Sequence, residues 1–399
     1  MNVPSTKPYF SEEDIQAISE EIRLILRSGH LILSPYTRRL EEAFHEYCGV
    51  KYAVAVSSCT AALEISLRYF DVAGKEVIVP TNTFIATSNA VIYAGGAPVL
   101  ADIKPDTLCL DPADLRRRIT ARTKGVIAVH IAGLPCPDIE EIRNICRERG
   151  LFLMEDAAHA HGATINGKKT GSLGDAGCFS FYPTKVMTTC TGGMITTNDE
   201  RLAEWAVSLR HHGVGKGLEQ IINLGNDWLM DEISALLGIY QLKALEANVG
   251  RRNEIAQRYA EALAGLEGME LFSVPPNIRH SYYKYPFFLS PGINKEEFIR
   301  RMLEEYGVDL GSAYDPPCHL QPVYQRLFGY RYGMFPNADN ILKRTCCLPM
   351  SSQMSGEEVS YVIDSLRSLL YKSNLNVMHA AGNSPLIPNK IGFSEVKAI

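Results

Sequence analysis

Three short stretches carry the residues best suited to chemistry. The segment "GCFSFYPTKVMTTCTGGM" is an apolar strand pattern that contains Ser180, ends in Lys185 and runs on into paired glycines. The segment "LFLMEDAAHAHG" is a second apolar strand, closing on Glu155 and Asp156 with His159 just beyond. In "YAVAVSSCTAALEISLRYF" a strand turns directly into a helix whose Leu63, Leu67 and Phe70 share one face, which puts Thr60 at the helix N-terminus. Taken singly these are ordinary: a lysine usually ends in water, and serines and threonines cap many helices that bind nothing. Together they are three strand ends, and in parallel α/β sheets ligands gather at strand ends.

A helix N-terminus offers unpaired N–H groups and the positive end of a dipole, a site for phosphate with the Thr60 and Ser180 hydroxyls as added donors. Successive strand residues face opposite ways, so one of the two carboxylates points inward. Asp156, which leads into a turn, is the expected one. It can pair with a protonated ring nitrogen, as an electron-sink pyridine requires. Anion site, carboxylate and lysine together describe pyridoxal 5'-phosphate (PLP), with its aldehyde as a Schiff base on Lys185.

Those residues need a scaffold, and the chain supplies one from residue 53 onward. Apolar runs such as "EVIVP", "PVLADI" and "GVIAVHI" alternate with helical patterns, the rhythm of a mainly parallel sheet covered by helices on both faces. Aspartates open the helices of "DPADLRRRIT" and "DIEEIRNICRERG" as expected N-caps. After residue 230 a long helical stretch with leucines and isoleucines three to four apart leads out of this large domain. The expected organisation is an N-terminal segment and large domain over 1–250, a smaller α+β domain over 251–372, and a poorly ordered tail over 373–399.

Composition narrows the function classes. With 46% hydrophobic and 21% charged residues and a net charge of -5, no basic field invites nucleic acid. No apolar leader opens the chain and no apolar run reaches about 18 residues, so no membrane role is expected and the reading is a soluble, cytoplasmic protein. The ten cysteines lack ligand-pair spacing, and adjacent Cys346 and Cys347 diverge in an extended segment. No metal is expected, and most of these thiols should be buried.

The ordered motifs "AVAVSSCTAALEISL", "VIVPTNTFIATSNAVIYAGGAPVLADIKPDTLCLDP", "AVHIAGLPCPD", "MEDAAHAHGA", "GDAGCFSFYPTK" and "GGMITTND" resemble the DegT/DnrJ family of PLP-dependent sugar aminotransferases, over roughly residues 8 to 370. The resemblance implies the aspartate aminotransferase type of fold, PLP transferase fold type I. It implies Thr60, Ala61 and Ser180 at the phosphate, Phe84 stacked on the ring, Asp156 at the pyridinium and His159 facing the ring hydroxyl. It also implies a homodimer with the active site between subunits, glutamate or glutamine as amino donor, and a keto sugar, expected to be nucleotide-linked, as acceptor. His319 in "YDPPCHLQPVY" matches a frequently present active-site histidine.

There are departures. Cys59 stands where the family often has glycine, and Asp227 and Leu229 stand where it has the asparagine and arginine that a partner subunit offers, leaving Asn226 as the replacement. Dehydratase relatives carry histidine in place of the lysine, so Lys185 favours amino transfer. A cyclitol or antibiotic-precursor aminotransferase would share every cofactor residue, and a non-catalytic regulator would have little need to keep Lys185, Asp156 and Ser180 together.

Overall fold

The computed structural model describes residues 1–215, 217 and 220–382. In chain order the strands are β1 (Tyr52–Val56), β2 (Glu76–Pro80), β3 (Ala97–Ala101), β4 (Thr123–Val129) and β5 (Phe152–Asp156). A short pair β6 (Thr164–Ile165) and β7 (Lys168–Lys169) precedes β8 (Ala176–Ser180) and β9 (Gly193–Thr197). Last come β10 (Met269–Leu271), β11 (Ile278–Arg279), β12 (Tyr285–Leu289) and β13 (Thr345–Leu348).

The main sheet has the order β1-β9-β8-β5-β4-β2-β3. Pairing is parallel from β3 through β2, β4 and β5 to β8, and antiparallel where β9 lies between β8 and β1. Helices cover both faces, so β5, β8 and β9 are buried along their whole length, which explains their continuous apolar text. Because β9 runs against its neighbours, its start at Gly193 sits level with the ends of β1 and β8, pairing with Val56 and Ser180. Chain ends therefore collect at one edge.

Helix punctuation follows the sequence with one exception. Asp111 caps Pro112–Arg118 by accepting from the Ala113 N–H, and Gly150 ends Ile139–Arg149 in the left-handed region at φ 65°. Asp138 makes no side-chain cap on that helix; its carboxylate pairs instead with Lys104 at 3.1 Å. The helix Pro35–Cys48 is capped from across the fold by buried Glu232, which accepts N–H bonds from Ser34, Tyr36 and Thr37.

Glu232–Leu263 is a single helix of 32 residues. Ala235, Leu245 and Val249 pack with Leu40, Phe44 and Phe181 beside the main sheet, while Ile255, Tyr259 and Leu263 pack into a second core with Phe287, Met302 and Leu366. That second core lies on the three-stranded antiparallel sheet β10-β12-β13. The final helix runs Gly356–Gly382, past the boundary at 372 read from the sequence; the rest of the expected tail, 383–399, lies outside the described residues. Nine cysteines are buried and only Cys190 is exposed.

The N-terminal segment is pinned by its backbone. Val3 bonds to Gly307 and Asp309, the Ser5 carbonyl accepts from the Met350 N–H, the Lys7 carbonyl accepts from Ser351 Oγ, and the Tyr9 carbonyl accepts from Gln241 Nε2. It thus passes from the second core toward the edge where the strand ends meet.

Candidate active site

At the C-terminal end of β1 the chain turns into the helix Cys59–Tyr69, whose cap is Ser58: its Oγ accepts from the Ala61 N–H at 3.1 Å. Thr60 lies in the first turn, beside the cavity. Gly193 explains how close this turn comes to the sheet, because a Cβ there would stand 2.4 Å from the Ser58 carbonyl carbon and 2.6 Å from the Cys59 nitrogen. Only glycine lets the helix start press against the β8–β9 edge, where Ser180 also faces the cavity. Ser58, Thr60, Ser180 and Thr191 make one polar end.

The two acids of β5 separate as strand alternation requires. Glu155 turns away from the cavity, wholly buried, to His130 Nε2 and to the N–H groups of Gly171, Leu173 and Gly174. Asp156 turns into the cavity, 6% exposed, where it accepts from Thr87 Oγ1 at 2.7 Å and from the Ala158 N–H at 3.1 Å. It is the only carboxylate lining this cavity among the described residues.

Lys185 closes a turn by donating its N–H to the Tyr182 carbonyl, and its ammonium sits 4.6 Å from the centre of the Tyr283 ring. Tyr283 in turn meets Thr184 Oγ1 at 3.1 Å and stacks on His159, with ring centres 4.3 Å apart. His159 Nε2 bonds to Tyr314 Oη at 2.7 Å, and its Nδ1 is buried with no partner. Burial, then the nearby Lys185 and Lys284 charges, push the His159 pKa well below its ordinary value, so the ring is neutral. Burial alone would raise the Tyr283 phenol; the charges of Lys185 and Lys284, with bonds from Thr184 and Lys185, overrule it and lower its pKa.

Thr60, Phe84, Asp156, His159, Ser180 and Lys185 thus line one cavity of about 390 Å³. Phe84 is 57% exposed at its mouth, tilted against Tyr314. Three expected residues stand outside. Ala61 is buried behind the helix start, and Asn226 is exposed on a loop, its Oδ1 accepting from the Asp227 N–H. That loop still touches the site's frame, since the Trp228 carbonyl accepts from the Ser57 N–H. His319, expected as a substrate contact, lies outside this cavity: it is 0% exposed and bridges Thr81 Oγ1 at 2.7 Å to Asp339 Oδ1 at 2.9 Å. Sequence reasoning missed Tyr283, Lys284 and Tyr314, which complete the wall. "YYKYPFFL" gave only a strand signal, and only the folded chain shows what its first residues face.

The donor set fits a phosphorylated pyridine aldehyde: hydroxyls and a helix N-terminus at one end, a carboxylate in the middle, an amine at the side and the orphaned His159 Nδ1. Fold and donor set together are those of a PLP-dependent aminotransferase of fold type I. The chain belongs to the DegT/DnrJ/EryC1/StrS aminotransferase family, whose model matches residues 12–367. It is 38% identical over 383 residues to the spore coat polysaccharide biosynthesis protein SpsC of Bacillus subtilis, covering 92% of this chain and 97% of SpsC. Among solved structures it is similar to PseC of Helicobacter pylori, an aminotransferase involved in pseudoaminic acid biosynthesis, at TM-score 0.87 and 27% identity over 93% of this chain and 100% of that one. The PLP form of the Streptococcus pneumoniae protein Spr1654 matches at TM-score 0.87 and 28% identity, over 93% and 99% of the two chains.

Proposed function

We propose that this enzyme moves an amino group from glutamate or glutamine to a nucleotide-linked keto sugar, in amino-sugar biosynthesis for a surface polysaccharide or a secondary metabolite. The observation that carries the reading is the convergence of Lys185, Asp156 and the helix start at Thr60 on one cavity, beside an aromatic wall of Phe84, Tyr283 and Tyr314. The relatives named for spore coat polysaccharide and pseudoaminic acid support a sugar acceptor. In this proposal residues 1–250 hold the cofactor, and 251–372 contribute Tyr283, Lys284 and Tyr314 to the same cavity. A cytoplasmic homodimer is part of the proposal, with Asn226 exposed on a loop available to a neighbouring subunit. Among the described residues no helix is long and apolar enough to cross a membrane.

When bound, PLP supplies an electron sink for charge developing at the substrate carbon. Thr60, Ser58 and Ser180 would hold its phosphate, and Asp156, oriented by Thr87 and the Ala158 N–H, would accept from its ring nitrogen. Lys185 would be the residue that holds it covalently, and its free amine would take and return the proton at the substrate carbon. Neutral His159 contributes a hydrogen bond and no charge, so the Lys185 amine has no imidazolium beside it. Phe84, Tyr283 and Tyr314 keep water from the reacting atoms.

The test is an absorbance record of the PLP-loaded protein before and after glutamate or glutamine, then with a panel of nucleotide-linked keto sugars, free keto sugars and cyclitol ketones. The visible band of the lysine-linked cofactor should disappear with the donor and return with one nucleotide-linked keto sugar. Absence of the band would refute the role of Lys185; return only with a cyclitol would refute the sugar.

A further inference from the structure

Behind the Tyr283 ring lies a second, smaller chamber of about 190 Å³, walled by Ser5, Thr6, Gly311, Cys347 and Leu348. It adjoins the active site, because Thr184, Tyr283 and Lys284 line both cavities. Lys284 is the feature that the cofactor reading leaves unused. Its Nζ donates to the Ser312 carbonyl and has no carboxylate partner among the described residues. It lies 5.8 Å from the same Tyr283 ring centre that Lys185 approaches at 4.6 Å, so both ammonium groups meet one aromatic ring.

An unpaired cation facing a partly enclosed chamber calls for an anion from outside the chain. The remaining walls say which kind. Leu348 and Cys347 give an apolar side suited to a short methylene chain, while the Ser5, Thr6 and Thr184 hydroxyls give donors at its polar side. Among the described residues no arginine lines the chamber, and at about half the volume of the main cavity it is too small for a nucleotide. The roof is the N-terminal segment, fixed there by backbone bonds on either side of Ser5 and Thr6.

We infer that this chamber takes the side-chain carboxylate of the amino donor, with Lys284 as its counter-ion and Ser5 and Thr6 as its roof. The inference rests on the aminotransferase reading above and sharpens it: the donor is a short dicarboxylic amino acid, glutamate in preference to glutamine, whose neutral amide would leave Lys284 unpaired. Lys284 is therefore a specificity-determining residue whose effect is on donor binding.

The experiment titrates glutarate, a dicarboxylate with no amino group to transfer, into the PLP-loaded protein by calorimetry, with inorganic pyrophosphate as a parallel probe for a nucleotide diphosphate. Lys284→Met should weaken glutarate at least about tenfold, while Lys284→Arg keeps it within a few fold, both with the visible cofactor band intact. Pyrophosphate should be indifferent to either change. Equal glutarate affinity in parent and Lys284→Met, or no glutarate binding to the parent, overturns the inference. A loss of pyrophosphate binding with glutarate unaffected also overturns it, by giving the lysine to a phosphate. If glutarate behaves as expected but no ketone restores the cofactor band, the keto-sugar reading fails and the chamber stands.

Discussion

Substituting Gly193 by alanine tests whether the helix start is where the cofactor is anchored. Gly193 is paired on both sides, and its ideal Cβ would meet the Ser58 carbonyl carbon at 2.4 Å, the Ser58 oxygen at 2.5 Å and the Cys59 nitrogen at 2.6 Å. These are backbone atoms, so relief requires moving the peptide that opens the helix Cys59–Tyr69. Overpacking of this kind costs about 1–3 kcal/mol. The group forced to move carries the phosphate donors, so the cost should appear in cofactor affinity, where each 1.4 kcal/mol is tenfold and the range becomes roughly 5- to 150-fold. Titration of the cofactor-free protein with PLP, read by absorbance, measures it, with thermal melts alongside. Gly250→Ala is the control, since its Cβ would meet nothing within 4 Å inside a helix; it should be neutral or slightly stabilising. Parent-like PLP affinity in Gly193→Ala would refute the assignment of the phosphate to this turn.

Lys185→Ala should fold, lack the visible lysine-linked band, and lose at least about a thousandfold in turnover; substantial residual turnover would remove the lysine from the mechanism. His319→Ala removes two buried hydrogen bonds and should cost about 2–4 kcal/mol in urea unfolding while the KM for the keto substrate stays near that of the parent; a large rise in KM would return His319 to the substrate. At Glu246 burial raises the pKa, but bonds from Tyr47, Lys169 and Arg279 outweigh it and bring it down to about 2. A carboxyl with a lowered folded pKa stabilises fully above its unfolded value near 4.5, and that stabilisation fades as pH falls toward about 2. Because the side chain is half exposed, Glu246→Gln should cost only about 1 kcal/mol at pH 7 and little at pH 2, where the carboxyl is half protonated; an equal cost at both would show that packing, not charge, is responsible.

What the sequence made legible was local. Parallel strands buried on both faces read as unbroken apolar runs, and the residues at their ends, Asp156 and Ser180, with Lys185 in the turn beyond, can be named without knowing the strand order. The rule that neighbouring strand residues face opposite ways left one inward carboxylate, and the turn that follows Asp156 chose it over Glu155. What stayed hidden was set by long-range packing. His319 sits in a motif that looks catalytic, yet Asp339 and Thr81 close around it from distant segments. Tyr283 and Lys284 come about a hundred residues after Lys185, and nothing local says that their strand would lie over it. The cap at Asp138 failed for a related reason, since Lys104 on another segment claims the carboxylate.

One consequence concerns the cysteines. Nine of the ten are buried, and Cys190 alone reaches solvent, next to Thr191, which lines the cofactor cavity. A maleimide dye added to the native protein would therefore attach at a single place without any engineered thiol. Its emission would follow the filling of the cavity in real time, in a protein whose cofactor otherwise has to serve as its own indicator.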